Sequence, residues 1–183
     1  MAAANVALVP IQKPIGGAVV RLEQGDLTAL RVDGIVHYAR EDLVLGSGYG
    51  TAIQSRGGEA IRKELAAVGG VRMGEAVLTG AGNLHARHII HACGPKFQEE
   101  RMEEKLRASM GSALALAGSA GLKSVAFPPM GAGFYGVPLD LCAAVMLEEI
   151  RKALAGAGSL REVVVCVTDR REFLAFRREM EKL

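Results

Sequence analysis

The sequence predicts a three-layer α/β/α domain, and three observations lead to that fold class. Short runs rich in valine and isoleucine alternate along the chain with segments of helical periodicity. Two of those runs, 34–36 and 163–167, are almost wholly apolar, as in strands that helices cover on both faces. Glycine clusters stand at the joins between strands and helices. A length of 183 residues favours a single domain that spans residues 1–183.

The individual elements can be placed in chain order. Strands are predicted from short apolar runs rich in β-branched residues, and helices from apolar residues that recur every three or four positions. The predicted strands are 6–11, 18–22, 34–38, 76–79, 88–93, 124–127 and 163–167. The predicted helices are 59–68, 100–117, 139–155 and 171–180.

Composition excludes several classes of protein. A net charge of +2 is too small for nucleic acid or an anionic membrane to be the main partner. Cys93, Cys142 and Cys166 form no C-x-x-C pair, which argues against a disulfide framework or a zinc knuckle and favours a reducing cytoplasm. No apolar stretch approaches 18 residues, so we expect no membrane span. We also expect no metal and no separate cofactor.

Two glycine-rich loops are the strongest functional signal. Residues 46–50 and 131–136 each follow a predicted strand and precede a helical segment. Glycine lets the backbone turn tightly and present bare N–H groups, and the next helix adds positive charge at its start. Two such loops suit a diphosphate. The simpler alternative is that the glycines only make turns.

Residues 131–136 match G-x-G-x-x-G, so a Rossmann dinucleotide fold is an alternative. That fingerprint belongs to the first strand–turn–helix unit and has an acidic residue about 20 positions on, at the end of a strand. Here the motif comes late, and Glu148 and Glu149 fall inside a predicted helix. A phosphate-binding loop of the Walker type fails as well, because no Gly-Lys-Ser or Gly-Lys-Thr closes either loop.

Six segments in order resemble the macro domain family, whose members bind ADP-ribose and process its derivatives (the Appr-1-p processing type). Residues 25–28 are similar to the family's G-D-I-T turn, 88–95 to its strand ending in V-G-P, and 131–136 to its S-T-G-x-Y-G loop. The resemblance implies a mixed central sheet and a nucleotide cleft. The six segments are 24–28, 31–36, 41–48, 74–84, 88–95 and 121–136.

The resemblance also implies roles for particular residues. Asp26 would accept a hydrogen bond from the adenine amino group, with a backbone N–H from Leu27 nearby; taken alone, Asp26 is a helix N-cap. Phe173 would lie beside adenine, or else belong to a helix core with Phe176. The diphosphate and distal ribose would lie against the two loops, although Phe134 alone also suits core packing. The loop residues concerned are Gly46, Ser47, Gly48, Tyr49, Gly131, Ala132, Gly133, Phe134 and Tyr135.

The chain departs from the family where the N-A-A-N segment should be. His37-Tyr38-Ala39-Arg40 stands there, so both asparagines are missing. Arg40 has donors and no acceptor, so it would grip a phosphate or fill the ribose subsite. His37 is a candidate general base, or else a hydrogen-bonded structural residue. Ser47 replaces a loop glycine, and Gly131-Ala132 replaces a Ser-Thr pair that offers hydroxyls to phosphate.

The sequence therefore predicts a module that binds ADP-ribose or an ADP-ribosylated protein. The alternative is a hydrolase that removes ADP-ribose from protein or deacetylates O-acetyl-ADP-ribose, with water activated by the substrate phosphate or by His37. A third possibility is that Arg40 occludes the cleft. His85, His88 and His91 do not suggest a metal site, because the odd spacing of the last two places them on opposite faces of a strand.

Overall fold

A computed structural model describes residues 8–46 and 48–183 of the chain. Within them the structure has seven strands, five α-helices and a short 3₁₀ turn at Leu27–Ala29. The strands are β1 Ile11–Ile15, β2 Ala18–Gln24, β3 Gly34–Ala39, β4 Ala76–Gly80, β5 His88–Cys93, β6 Ser124–Phe127 and β7 Glu162–Val167. The helices are α1 Tyr49–Gly57, α2 Glu59–Val68, α3 Met102–Ser119, α4 Leu139–Ala155 and α5 Arg170–Met180.

All seven strands form one mixed sheet in the order β1-β2-β7-β6-β3-β5-β4. The five central strands run parallel to one another, and the two edge strands, β1 and β4, are antiparallel to their neighbours. The carboxyl ends of the five parallel strands therefore meet at a single edge of the sheet. In open α/β sheets this edge is where ligands bind.

Successive side chains of β7 point to opposite faces of the sheet and show how the two helical layers pack against it. Val163, Val165 and Val167 pack into one hydrophobic cluster, with helices α3, α4 and α5. Val164 and Cys166 point the other way, into a second cluster that includes Ile53 of α1 and Ile61 and Leu65 of α2. Because successive strand residues face opposite sides, a continuous apolar run fills both clusters. The predicted three-layer α/β/α fold with a mixed sheet is confirmed.

The first predicted strand is wrong in position. Residues 8–10 are not in a strand, and 6–7 lie outside the described residues. The strand instead is β1, which contains Pro14 and forms a hairpin with β2 through a turn at Gly16 and Gly17. A proline lacks the N–H that a central ladder needs, but an edge strand tolerates it.

Helix α1 was absent from the predicted helices, although one was expected after the first loop. Its buried residues are Gly50, Ile53 and Gly57, so Ile53 is the one large apolar side chain that it buries. A single such residue gives no periodic signal. Helix α1 begins directly after Gly48, at the carboxyl edge of the sheet, and ends where Gly58 separates it from α2.

Candidate functional site

An open cleft of about 610 Å³ lies at the carboxyl edge of the sheet. The segments that follow β3 and β5 form two of its walls, and the second glycine loop forms a third. Four of the residues predicted for ligand binding line it: Arg40, Gly46, Phe134 and Tyr135. The other lining residues are Ala39, Glu41, Asp42, Cys93, Gly94, Lys96 and Phe97.

The second glycine loop is shaped by close backbone contacts. The N–H of Val137 donates to the carbonyl of Gly131 at 2.9 Å, which folds the loop back on itself. Gly131 has φ +73°, and a Cβ placed there would lie 2.7 Å from Val137 and 2.9 Å from the Tyr38 ring. No side chain fits at Gly131 without moving the loop. Phe134, which is 81% exposed, and Tyr135 are the residues of this loop that line the cleft.

Tyr38, on β3, packs against the second glycine loop, a role that the sequence did not indicate. Its hydroxyl donates to the carbonyl of Pro95 at 2.5 Å, and its ring lies 4.7 Å from the ring of Tyr135. The same ring also packs directly against Gly94 and Gly131, leaving no room for a Cβ at either position. Tyr38 therefore joins the wall after β5 to the wall formed by the second glycine loop.

The first glycine loop leads directly into α1. Gly48 caps the helix, and Tyr49 is its first residue. The Tyr49 hydroxyl is buried and has no hydrogen-bond partner among the described residues, and burial raises the pKa of this phenol. Ser47 lies outside the described residues. The predicted contribution of Ser47 to phosphate binding thus remains a prediction.

Arg40 lines the cleft without filling it. Its Nη2 lies 2.6 Å from Asp42 Oδ2, and this ion pair holds the guanidinium on the cleft wall. A second ion pair joins Lys96 Nζ to Glu41 Oε2 at 2.5 Å on the same cleft. A cleft of about 610 Å³ remains beside them, which does not favour occlusion by Arg40. The predicted contact of Arg40 with a phosphate or a ribose remains a prediction.

Asp26 lies at the carboxyl end of β2, where a base was expected, and it does not line the 610 Å³ cleft. It caps the 3₁₀ turn, with Oδ1 accepting from the Thr28 backbone N at 2.9 Å, as the N-cap alternative predicted. Its Oδ2 is in an ion pair with Arg56, which sequence reasoning missed. Burial raises the Asp26 pKa, but hydrogen bonds from Arg56 and Thr28 outweigh it and lower the pKa overall. Leu27 is fully buried in the second cluster.

Phe173 lies in the protein core. Its side chain is 3% exposed and packs in the cluster formed by α3, α4 and α5, together with Phe176. Phe173 also borders a shallow groove with residues 8–11. This placement favours the helix-core alternative over a position beside the base.

His37 is buried beneath α1 and does not line the cleft. Its Nδ1 lies 3.1 Å from Nδ1 of His91, its register partner on β5, and His91 Nε2 lies 2.9 Å from Thr79 Oγ1. The Thr79 hydroxyl donates to the Gly80 carbonyl, so His91 donates to Thr79 and accepts from His37. Burial lowers the pKa of His37 to about 4. These contacts favour the structural alternative for His37.

The described residues offer little support for metal or thiol chemistry. Residues 8–46 and 48–183 contain no group of three His, Cys, Asp or Glu side chains placed to hold a metal ion. Burial raises the pKa of Cys93, the cysteine that lines the cleft, to about 11, which keeps it as a neutral thiol. No helix in the described part of the chain is long and apolar enough to cross a membrane.

Fold and site together define an α/β/α domain with a ligand cleft at the carboxyl edge of its parallel strands. Comparison with known proteins identifies the family to which this domain belongs. A family model described as "Macro domain" matches residues 36–146. O-acetyl-ADP-ribose deacetylase 2 of Pantoea vagans is 37% identical over 150 residues, which cover 78% of this chain and 88% of that protein. The chain belongs to the macro domain family.

Solved structures agree with this assignment. A macrodomain of Oceanobacillus iheyensis with ADP superposes with a TM-score of 0.89 and 25% identity, covering 95% of this chain and 96% of that one. The Trypanosoma brucei macrodomain in complex with ADP-ribose superposes with a TM-score of 0.82 and 31% identity. That match covers 87% of this chain and 68% of the other.

Proposed function

We propose that this protein binds ADP-ribose, free or attached to a protein, across the carboxyl edge of its sheet. One observation carries the proposal. The second glycine loop, which admits no side chain at Gly131, borders an open cleft of about 610 Å³, and the first glycine loop leads into the start of α1. Bare backbone N–H groups at a helix start are a general solution for binding phosphate. Relatives solved with ADP and ADP-ribose support the same ligand class.

The arrangement of the site suggests how such a ligand would lie. The base end belongs near Asp26 and Leu27, and the diphosphate between the two glycine loops. The distal ribose then reaches the open cleft, where Arg40, Phe134 and Tyr135 line the walls. A group attached to that ribose would leave through the mouth of the cleft, past the exposed rings of Phe134 and Phe97.

Binding is favoured over hydrolysis by the state of the titratable groups near the cleft. His37 is buried away from it, with Nδ1 engaged by His91. The cleft carboxylates, Glu41 and Asp42, are each paired with a cation. Hydrolysis remains the second candidate, because a relative is named as an O-acetyl-ADP-ribose deacetylase. In that case Glu41 and Asp42, which line the cleft, are the carboxylates placed to activate water.

Titration with ADP-ribose separates these possibilities. Calorimetry with ADP-ribose, AMP and NAD should give the tightest binding for ADP-ribose, since it alone carries both the diphosphate and the free distal ribose. Incubation of an ADP-ribosylated protein or O-acetyl-ADP-ribose with an excess of this protein should then release no product. Product release would establish the hydrolase alternative. Absence of binding by all three nucleotides would contradict the proposed function.

Asp26→Ala should weaken ADP-ribose binding by more than about tenfold if the carboxylate accepts the 6-amino hydrogen. The comparison is calorimetry on the wild type, Asp26→Ala and Asp140→Ala, which removes an exposed carboxylate paired with Arg178 outside the cleft. Loss of the N-cap also lowers stability by about 1 kcal/mol, so each variant is checked by thermal unfolding. An unchanged affinity in folded Asp26→Ala would refute this role.

A further inference from the structure

The Asp26 carboxylate is held in one orientation by its neighbour. Oδ1 accepts from the Thr28 backbone N at 2.9 Å and from Thr28 Oγ1 at 2.7 Å. Both of these bonds fall on a single oxygen. The remaining capacity of the carboxylate to accept hydrogen bonds from a ligand is therefore concentrated on Oδ2.

Arg56 stands beside that oxygen. It comes from the last turn of α1, and its Nη1 bonds both to Asp26 Oδ2 and to the Thr28 hydroxyl. Both of these bonds use the same guanidinium nitrogen, Nη1. The side chains of Arg56 and Asp26 are 55% and 42% exposed, so this is a surface ion pair, which a ligand shares or displaces readily.

The pair presents an acceptor and several donors side by side. A carboxylate alone accepts a 6-amino hydrogen of a purine, but it faces a 6-oxo oxygen as one acceptor against another. A guanidinium next to the carboxylate supplies the hydrogen-bond donor that a 6-oxo oxygen requires. The 6-oxo oxygen accepts from Arg56 while the neighbouring ring N1–H donates to Asp26 Oδ2. With a 6-amino purine, the amino group donates to Oδ2 and the ring nitrogen accepts from Arg56.

We propose that Arg56 is a specificity-determining residue that broadens base recognition, so that the site takes 6-oxopurine as well as 6-aminopurine diphosphate-riboses. This inference rests on the proposed function, because it concerns the base end of the same ligand. The ligand class is then purine nucleoside diphosphate-ribose rather than the adenine form alone. Asp26 remains necessary for both bases, and Arg56 matters most for the 6-oxo form.

Calorimetry with ADP-ribose and inosine diphosphate ribose tests the proposal. The wild type should bind both with dissociation constants within about fivefold of each other. Arg56→Ala should raise the inosine-to-adenine ratio of dissociation constants by about tenfold or more, chiefly by weakening the inosine compound. Arg62→Ala is the matched control, because Arg62 is an exposed arginine of α2 paired with Glu59. The control should leave the ratio within about twofold of the wild type.

The outcomes are distinct. Rejection of inosine diphosphate ribose by the wild type, by about thirtyfold or more, would overturn the proposal while leaving ADP-ribose binding intact. An unchanged ratio in Arg56→Ala, folded by circular dichroism, would overturn it as well. If neither compound bound the wild type, the proposed function itself would fall and this inference with it.

Discussion

Gly131→Val is expected to weaken ADP-ribose binding by about a hundredfold or more. Gly131 has φ +73°, a conformation that β-branched residues avoid. A Cβ there would lie 2.7 Å from Val137 and 2.9 Å from Tyr38, and both of these neighbours are buried. The loop must therefore move, and its backbone N–H groups would leave the positions that a phosphate requires. Calorimetry against the wild type measures the loss.

Two further variants make this result interpretable. Gly131→Ala places the same Cβ with fewer atoms and should give a smaller loss in the same direction. Gly17→Ala serves as the control, because a Cβ at this turn residue between β1 and β2 meets nothing within 4 Å. Thermal unfolding shows whether each protein is folded. Wild-type affinity in folded Gly131→Val would mean that this loop does not contact the ligand.

The second large effect is a loss of stability in mild acid, caused by His37 and His91. Burial lowers the pKa of His37 to about 4, and burial together with the neighbouring His37 lowers that of His91 to about 3. In the unfolded chain both imidazoles titrate near 6.5. Below pH 6.5 the two histidines are protonated in the unfolded state but stay neutral in the folded state, because their pKa values are lower there. The free energy of unfolding therefore falls. Each histidine contributes up to about 1.4 kcal/mol per pH unit until its folded pKa is reached.

Urea unfolding at pH 7, 6 and 5 measures this slope. Replacing both histidines with glutamine keeps hydrogen-bonding groups at these positions but removes the titration, so the decline between pH 6.5 and 5 should flatten. His85→Gln is the control, because His85 is exposed and should leave the slope unchanged. Carboxylates with lowered pKa, such as Asp33, affect stability only at lower pH. An equally steep decline in the double variant would contradict the assignment.

Elements with a strong local pattern were predictable from the sequence. The predicted strand at 88–93 and the predicted helices at 59–68 and 139–155 have the bounds found in the structure. The two helices repeat their apolar residues with the helical period, and the strand is a short run of buried residues between polar segments. The first strand failed because Pro14 argues against a strand unless that strand is known to lie at the sheet edge. Edge position is a property of the whole sheet, which local sequence does not contain.

The same distinction holds for the site. The two glycine loops could be predicted because their glycines are close together in the sequence. Contacts between segments that are distant in the sequence leave no local pattern: Arg56 bonds to Asp26, 30 positions away, and Tyr38 bonds to Pro95, 57 positions away. Phe173 left two alternatives open, because a helix-core residue and a residue beside adenine have the same sequence pattern until the helix is placed, and its position in the core favours the first.

The position of Tyr38 constrains how the cleft can be redesigned. Its ring occupies the space that a side chain would need at Gly94 and at Gly131, two positions that lie 37 residues apart in the sequence. Mutating any of the three alone creates either a collision or a void. A combinatorial library aimed at new ligands must therefore vary these positions together, with a smaller residue at 38 accompanying a larger one at 94, whereas a larger residue at 131 also requires a smaller one at 137.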